Sequence, residues 1–134
     1  MIGVIKMREI LFRGKDKTIG EWVTGNLYQN QDQCFIMANN RNNEVIPETV
    51  GQFTGLTDKN GKKIFEGDIS KGKTVNGKQI NYVFWFDETE RAFMYGSSYK
   101  GGYRLSLSAY QLSTNEFEVI GNIYDNPELI EQED

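Results

Sequence analysis

The groups that could do chemistry in this sequence are carboxylates, lysines and aromatic rings, because the chain contains no histidine and a single cysteine, Cys34. Lack of imidazole removes the commonest general base, every Ser-His or Cys-His nucleophile pair and all histidine-based metal sites. One thiol also rules out an intramolecular disulfide, a zinc ribbon and an iron–sulfur site. Carboxylates gather in two places: Asp87, Glu88 and Glu90 at the tip of a predicted hairpin, and Glu66 and Asp68 on either side of Gly67. If they converged, these oxygens would suit Mg²⁺ or Ca²⁺, with Asp68, Asp87 and Glu88 as the ligands of a metal-dependent enzyme. The ordinary role for such charges is to discourage edge-to-edge sheet association. On balance the sequence is read as non-enzymatic, with no catalytic residue, no metal and no cofactor assigned.

The stretch from Gly55 to Lys63 (Gly-Leu-Thr-Asp-Lys-Asn-Gly-Lys-Lys) superficially resembles a phosphate-binding loop. Five residues separate its glycines instead of four, and Lys63 stands where a magnesium-binding Ser or Thr belongs. As a calcium loop centred on Gly61 it lacks the first acid, where Leu56 stands, and the closing Glu, where Gly67 stands. It is read as a turn. Lys59, Lys62, Lys63, Lys71, Lys73 and Lys78 make a lysine-rich stretch, and residues 99–104 (Tyr-Lys-Gly-Gly-Tyr-Arg) interleave bases with aromatics. Such a mixture can contact phosphates and stack nucleobases. Lys62, Lys63, Lys71, Lys73, Lys100, Tyr103 and Arg104 are therefore the residues of an alternative reading, a nucleic-acid-binding modulator. A sequence pI near 4.9 opposes it.

The elements that must position these groups are mostly strands. Runs rich in β-branched and aromatic residues, bounded by Gly, Asn and Asp, occur at 7–13, 21–28, 33–38, 81–87, 91–95 and 117–124. The fourth and fifth predict a hairpin across Glu88, Thr89 and Glu90. Asn60-Gly61 and Asn76-Gly77 supply residues that tolerate the positive φ of tight turns. Helix is the minority: a short turn over 106–112, and a turn over 126–130, where Asn126 is a good cap, Pro127 occupies the first helical position and Glu128 follows. Gly25-Asn26-Leu27-Tyr28-Gln29-Asn30 echoes Gly121-Asn122-Ile123-Tyr124-Asp125-Asn126, but no longer match surrounds it and coincidence is the simpler explanation.

A chain of 134 residues suits one folded unit or two small lobes and needs no metal or disulfide to stay folded. All 15 bases lie in residues 1–104, whereas residues 105–134 carry seven acids and no base. That asymmetry marks either an acidic interaction tail or a solvated terminus. The apolar run at residues 1–5 is too short for a signal-peptide core or a membrane span, and a lone cysteine fits a reducing compartment; the cytoplasm is expected, with no membrane contact.

Three blocks carry a family likeness. They are Met7-Arg8-Glu9-Ile10-Leu11-Phe12-Arg13-Gly14-Lys15 with Gly20-Glu21-Trp22-Val23-Thr24-Gly25; the run from Val45 through Gly61 into Lys63-Ile64-Phe65-Glu66-Gly67-Asp68-Ile69; and Leu112 followed by the run from Glu118 to Leu129. In this order the sequence resembles the YopX family of phage and prophage proteins over nearly its whole length. Residues 1–6 precede the family's usual start, Ser70 stands where a strand-forming residue is expected, and residues 99–103 resemble a variable loop. The resemblance implies an origin in a bacteriophage or prophage of Gram-positive bacteria and a tendency to self-assemble into homo-oligomers. It implies no activity and carries over no site residue.

The expected fold is mainly β: an N-terminal β lobe over residues 1–50, an ordered linker over 51–63, and a C-terminal lobe over 64–134 resembling an SH3-like barrel, closed by a short helical turn. Expected core residues are Leu11, Trp22, Val23, Leu27, Phe35, Ile36, Ile64, Ile69, Val83, Trp85, Phe93, Leu105, Val119 and Ile123. The expected function is that of a phage or prophage accessory protein that binds protein, a host or phage partner or a second copy of itself, in the host cytoplasm.

Overall fold

The computed structural model describes residues 8–74, 76–107 and 116–130. The chain is mainly β and divides into two units between Gly55 and Leu56. Strands β1 (Phe12–Lys15), β2 (Trp22–Asn30), β3 (Gln33–Ala38) and β4 (Arg41–Val45) belong to the first unit. Strand β5 (Gly51–Thr57) runs across the division, and a single 3-10 turn at Pro47–Thr49 precedes it. The second unit holds β6 (Lys63–Phe65), β7 (Asp68–Lys73), β8 (Gln79–Asp87), β9 (Ala92–Gly96), β10 (Leu105–Ser106), β11 (Glu118–Asn122) and a 3-10 turn at Pro127–Leu129.

In the first unit the sheet order is β4-β3-β2-β1-β5. Two-residue turns set the register. Gln31 turns β2 into β3 at φ 56°, and Asn39 and Asn40 turn β3 into β4 at φ 53° and 63°, the mirror-image turn that suits the twist of a hairpin. The sheet then curls. Asp16 bridges Val45, the Lys17 amide donates to the Glu44 carbonyl at 2.9 Å, and the Ile46 amide donates to the Lys15 carbonyl at 2.9 Å. Gly14 permits this approach, since a Cβ there would lie 2.9 Å from Val45. Cys34, Ile36 and Val45 are buried inside the curl, with Phe12, Val23, Leu27 and Val50 packed on them.

The second sheet is antiparallel in the order β10-β9-β8-β7-β11. It buries both faces, which explains why β8 is nearly continuously apolar. Tyr82 and Phe84 point to one side, where Ile64, Tyr95 and Phe117 join them. Val83 and Trp85 point to the other, where Ile69, Met94, Ile123, Leu129 and Ile130 close the layer. A Gly at position 72 makes room for the Phe117 ring, 2.9 Å from where a Cβ would stand.

The structure corrects several expectations. Residues 51–57, expected as part of a linker, form a strand paired to β1, because Gly51 and Phe53 are buried beside it. Among the described residues the second unit's sheet is open, without the closure of an SH3-like barrel, and β10 and β11 are its edges. Strand β4 was not foreseen, since Arg-Asn-Asn-Glu-Val has little strand character and is placed by the turn at Asn39-Asn40. Of the expected core, Ile36, Ile64, Ile69, Val83 and Trp85 are fully buried, and the others are half-buried. The echoing segments are unlike: Gly25 lies inside a hairpin strand, pressed against the Met37 carbonyl, whereas Gly121 lies next to the end of β11, against the Asn126 side chain. The helical turn near the end forms at Pro127–Leu129, but Asn126 does not cap it; its Oδ1 accepts the Asn122 amide at 3.2 Å instead. Of the helical turn expected over 106–112, residues 108–112 lie outside the described residues, and Ser106 is in β10.

Candidate functional site

Sequence-predicted site residues separate into three places, all in the second unit. The first is a turn. Asp58 is buried, and its Oδ1 accepts the amides of Asn60 and Lys62, each at 2.9 Å, while Oδ2 accepts the Val119 amide at 2.9 Å. Gly61, at φ 80°, completes the loop, and the Lys59 amide donates to the Phe117 carbonyl. The segment that mimicked a phosphate or calcium loop is thus a carboxylate-pinned turn covering the edge of β11. Lys62 and Lys63 follow it with exposed side chains.

The second place lies where β7 meets β11. Lys71 is opposite Glu118 in register and pairs with it at 3.1 Å; Lys59 reaches the same carboxylate at 3.7 Å, and Lys73 pairs with Glu116 at 3.5 Å. Lys71 beside Glu118 holds that carboxyl below its usual range, with Lys59 adding to the effect. Together with Gly72 and Gln79, these three lysines and Glu116 line a hollow of about 220 Å³. Gln79, Glu116 and Glu118 were missed in the sequence; their signal is visible only once the antiparallel register places Glu118 beside Lys71.

The third place is the base of the β8–β9 hairpin. Asp87 Oδ1 accepts the amides of Thr89 and Glu90, and Oδ2 accepts the Trp85 indole N–H at 3.3 Å and Arg104 Nε at 3.1 Å. The Glu90 amide is the chief cause that holds the Asp87 carboxyl below its ordinary value, with Trp85 and Arg104 assisting. Arg104 also reaches Glu90 at 3.5 Å and the Gly101 carbonyl at 3.4 Å. Lys100 lies over the Tyr99 ring, 5.3 Å from its centre, and Tyr103 is 82% exposed.

The seven residues of the nucleic-acid reading are therefore not assembled into a free cationic track: Lys71, Lys73 and Arg104 are engaged by carboxylates. Nor do Asp68, Asp87 and Glu88 converge. Asp68 is buried and accepts the Phe65 amide at 2.8 Å, Asp87 organises its hairpin and Glu88 is exposed at the turn; among the described residues no three Asp, Glu or Cys side chains form a metal-holding group. What the arrangement can do is hold carboxylates and fix turns.

Elsewhere, the outer face of β2 and β3 carries an apolar strip. Tyr28 is 57% exposed and Met37 48%, with the half-buried Phe35 between them; the Tyr28 and Phe35 rings are 6.2 Å apart.

These features define a protein of two antiparallel β units in which Lys71, Lys73 and Arg104 are paired with carboxylates. The chain belongs to the YopX family: the family's sequence model, described as YopX protein, matches residues 11–131. A search of curated proteins finds no match. Among solved structures, the crystal structure of protein EF1440 from Enterococcus faecalis is similar, with a TM-score of 0.53 and 22% identity over 93% of this chain and 100% of that one. At that identity the likeness is one of fold. Among the described residues no helix is long and apolar enough to cross a membrane.

Proposed function

We propose that the protein is a non-enzymatic accessory protein of a phage or prophage that works by protein contact in the host cytoplasm, beginning with association with a second copy of itself. The observation that carries this reading is the Tyr28–Phe35–Met37 strip on the outer face of β2 and β3. Exposed aromatic and methionine side chains side by side are the usual core of a protein interface, whereas charged residues are depleted there. The carboxylates already bound to Lys71, Lys73 and Arg104 favour it over nucleic-acid binding, which depends on cations available to phosphates. Light scattering on the full chain and on a Tyr28→Ser, Met37→Gln variant tests the proposal. A discrete oligomer for the former and a monomer for the latter is expected. A monomer in both cases overturns self-association, and an oligomer in both moves the interface elsewhere.

A further inference from the structure

The tripeptide Asn-Gly-Lys occurs twice, at residues 60–62 and 76–78, and no other asparagine in the chain is followed by glycine. In such a pair the backbone nitrogen of the glycine can attack the asparagine Cγ, because glycine has no Cβ to obstruct the approach. The nitrogen gives up its proton, a C–N bond forms, and the side-chain amide leaves as ammonia, which closes a five-membered succinimide. Water then opens the ring at either carbonyl. One opening gives aspartate; the other gives isoaspartate, with the chain rerouted through the side chain. Water is the only co-reactant. Since both sites share the same three residues, what separates them is how the fold holds each turn.

At Asn60 the holder is a buried carboxylate. Asp58 Oδ1 accepts the amides of Asn60 and Lys62, each at 2.9 Å, and so grips the chain on both sides of Gly61. Its Oδ2 ties the same turn to β11 through the Val119 amide at 2.9 Å. The Gly61 amide donates to the Asp58 carbonyl at 2.9 Å, and a succinimide nitrogen carries no hydrogen, so closing the ring breaks that bond. Bringing Cγ onto the nitrogen also rotates the Asn60 backbone out of the grip of the carboxylate. That negative charge further opposes removal of the Gly61 proton. At Asn76 the ties are weaker. The Gly77 amide donates to the Thr74 carbonyl at 2.9 Å, and the Lys78 amide donates to the Thr74 hydroxyl at 3.1 Å. Both acceptors are neutral, and Asn76, Gly77 and Lys78 are exposed, so water can replace these bonds as the turn opens. We propose that Asn76 is a site of spontaneous deamidation in the folded protein and that Asn60 is protected from it. The reaction places a new carboxylate next to Lys78. As isoaspartate it also adds a backbone atom to the turn between β7 and β8, beside the Lys73–Gln79 pair that opens their ladder. This inference does not depend on the self-association proposed above.

The test incubates the full chain at mildly alkaline pH and follows both asparagines by peptide mass spectrometry, with enzymatic methylation of isoaspartate as a second readout. A parallel sample is held unfolded in concentrated urea. In the folded protein Asn76 is expected to convert at least about tenfold faster than Asn60, the factor that one charge-assisted hydrogen bond is worth. In urea the two rates should converge, because the reacting residues are identical. Equal rates in the folded protein overturn the proposal, as does faster reaction at Asn60. So does an Asn76 that reacts in urea but stays intact in the folded chain. A difference that persists undiminished in urea also overturns it, by assigning the selectivity to flanking sequence instead of to the Asp58 carboxylate.

Discussion

Replacing Asp58 with alanine should destabilise the second unit, and the reason lies in three bonds to one carboxylate. Its Oδ2 holds the Val119 amide at 2.9 Å, on a half-buried edge strand where water does not readily take over. A hydrogen bond from a neutral donor to a charged acceptor contributes about 1.5–3 kcal/mol. The amides of Asn60 and Lys62, also at 2.9 Å, belong to exposed residues and can be rehydrated, so they add about 0.5–1 kcal/mol each. Asp58→Ala should therefore cost about 2.5–5 kcal/mol, a large share of the 5–15 kcal/mol available to a typical protein. Asp58→Asn keeps one oxygen but turns an amide donor toward the Val119 N–H, or forfeits the turn bonds, and should fall between. The assay is urea unfolding followed by Trp85 fluorescence in a Trp22→Phe background, since these are the two tryptophans and Trp85 reports on the second unit. With a urea slope of about 1.5–2 kcal/mol per molar, the midpoint should drop by roughly 2 M for the alanine variant. A drop of less than about 0.3 M would refute the claim that this carboxylate pins the turn to β11.

Asp87 and Glu118 both titrate below their ordinary values, 3.8 and 4.5, because of the Glu90 amide and Lys71 respectively. Their contribution to stability is thus fully present above those values and lost as pH falls through the lower folded ones; Asp87→Asn and Glu118→Gln should each flatten the acid limb of a stability–pH curve. Tyr95 behaves oppositely: burial, then its neighbour Tyr82, pushes its hydroxyl up to about 12. That stabilisation is complete below pH 10.0 and disappears as pH rises toward the folded value, amounting to about 3 kcal/mol, and Tyr95→Phe should remove the latest phase of phenolate absorbance. Ser70 is buried with a hydroxyl that has no partner among the described residues, so Ser70→Ala should leave thermal stability unchanged or raise it by about 1 kcal/mol, whereas a loss beyond that size would reveal a bond to its Oγ. Gly25→Ala, which would drive a Cβ into the Met37 carbonyl, should cost at least about 3 kcal/mol and separate β2 from β3 in hydrogen exchange.

Much of the architecture was written locally. The apolar run at β8, the hairpin to β9 across Glu88, Thr89 and Glu90, and the Pro127 turn depend on neighbours in sequence, whose side-chain alternation and backbone preferences act before any distant contact forms. The turn at Asp58-Lys59-Asn60-Gly61 was legible for the same reason, as was the family likeness carried by the blocks around it. Other features were decided only by tertiary structure. Strand β4 and the start of β5 have weak strand character of their own and exist because β3 and β1 offer them hydrogen bonds. Nothing in the spacing of Lys71 and Glu118, far apart along the chain, announces an ion pair; the antiparallel register of β7 and β11 creates it. Likewise Tyr82, Tyr95 and Phe117, absent from the expected core, are buried because the sheet is covered on both faces, and alternation alone does not say whether a strand's second face will meet water or protein. The sequence by itself determined that this is a β protein without histidine and with a single cysteine. Which of its charges are spent on each other, and which apolar side chains remain outside, was decided by the pairing of strands distant in the chain, because those pairings set the register and the register sets every neighbour.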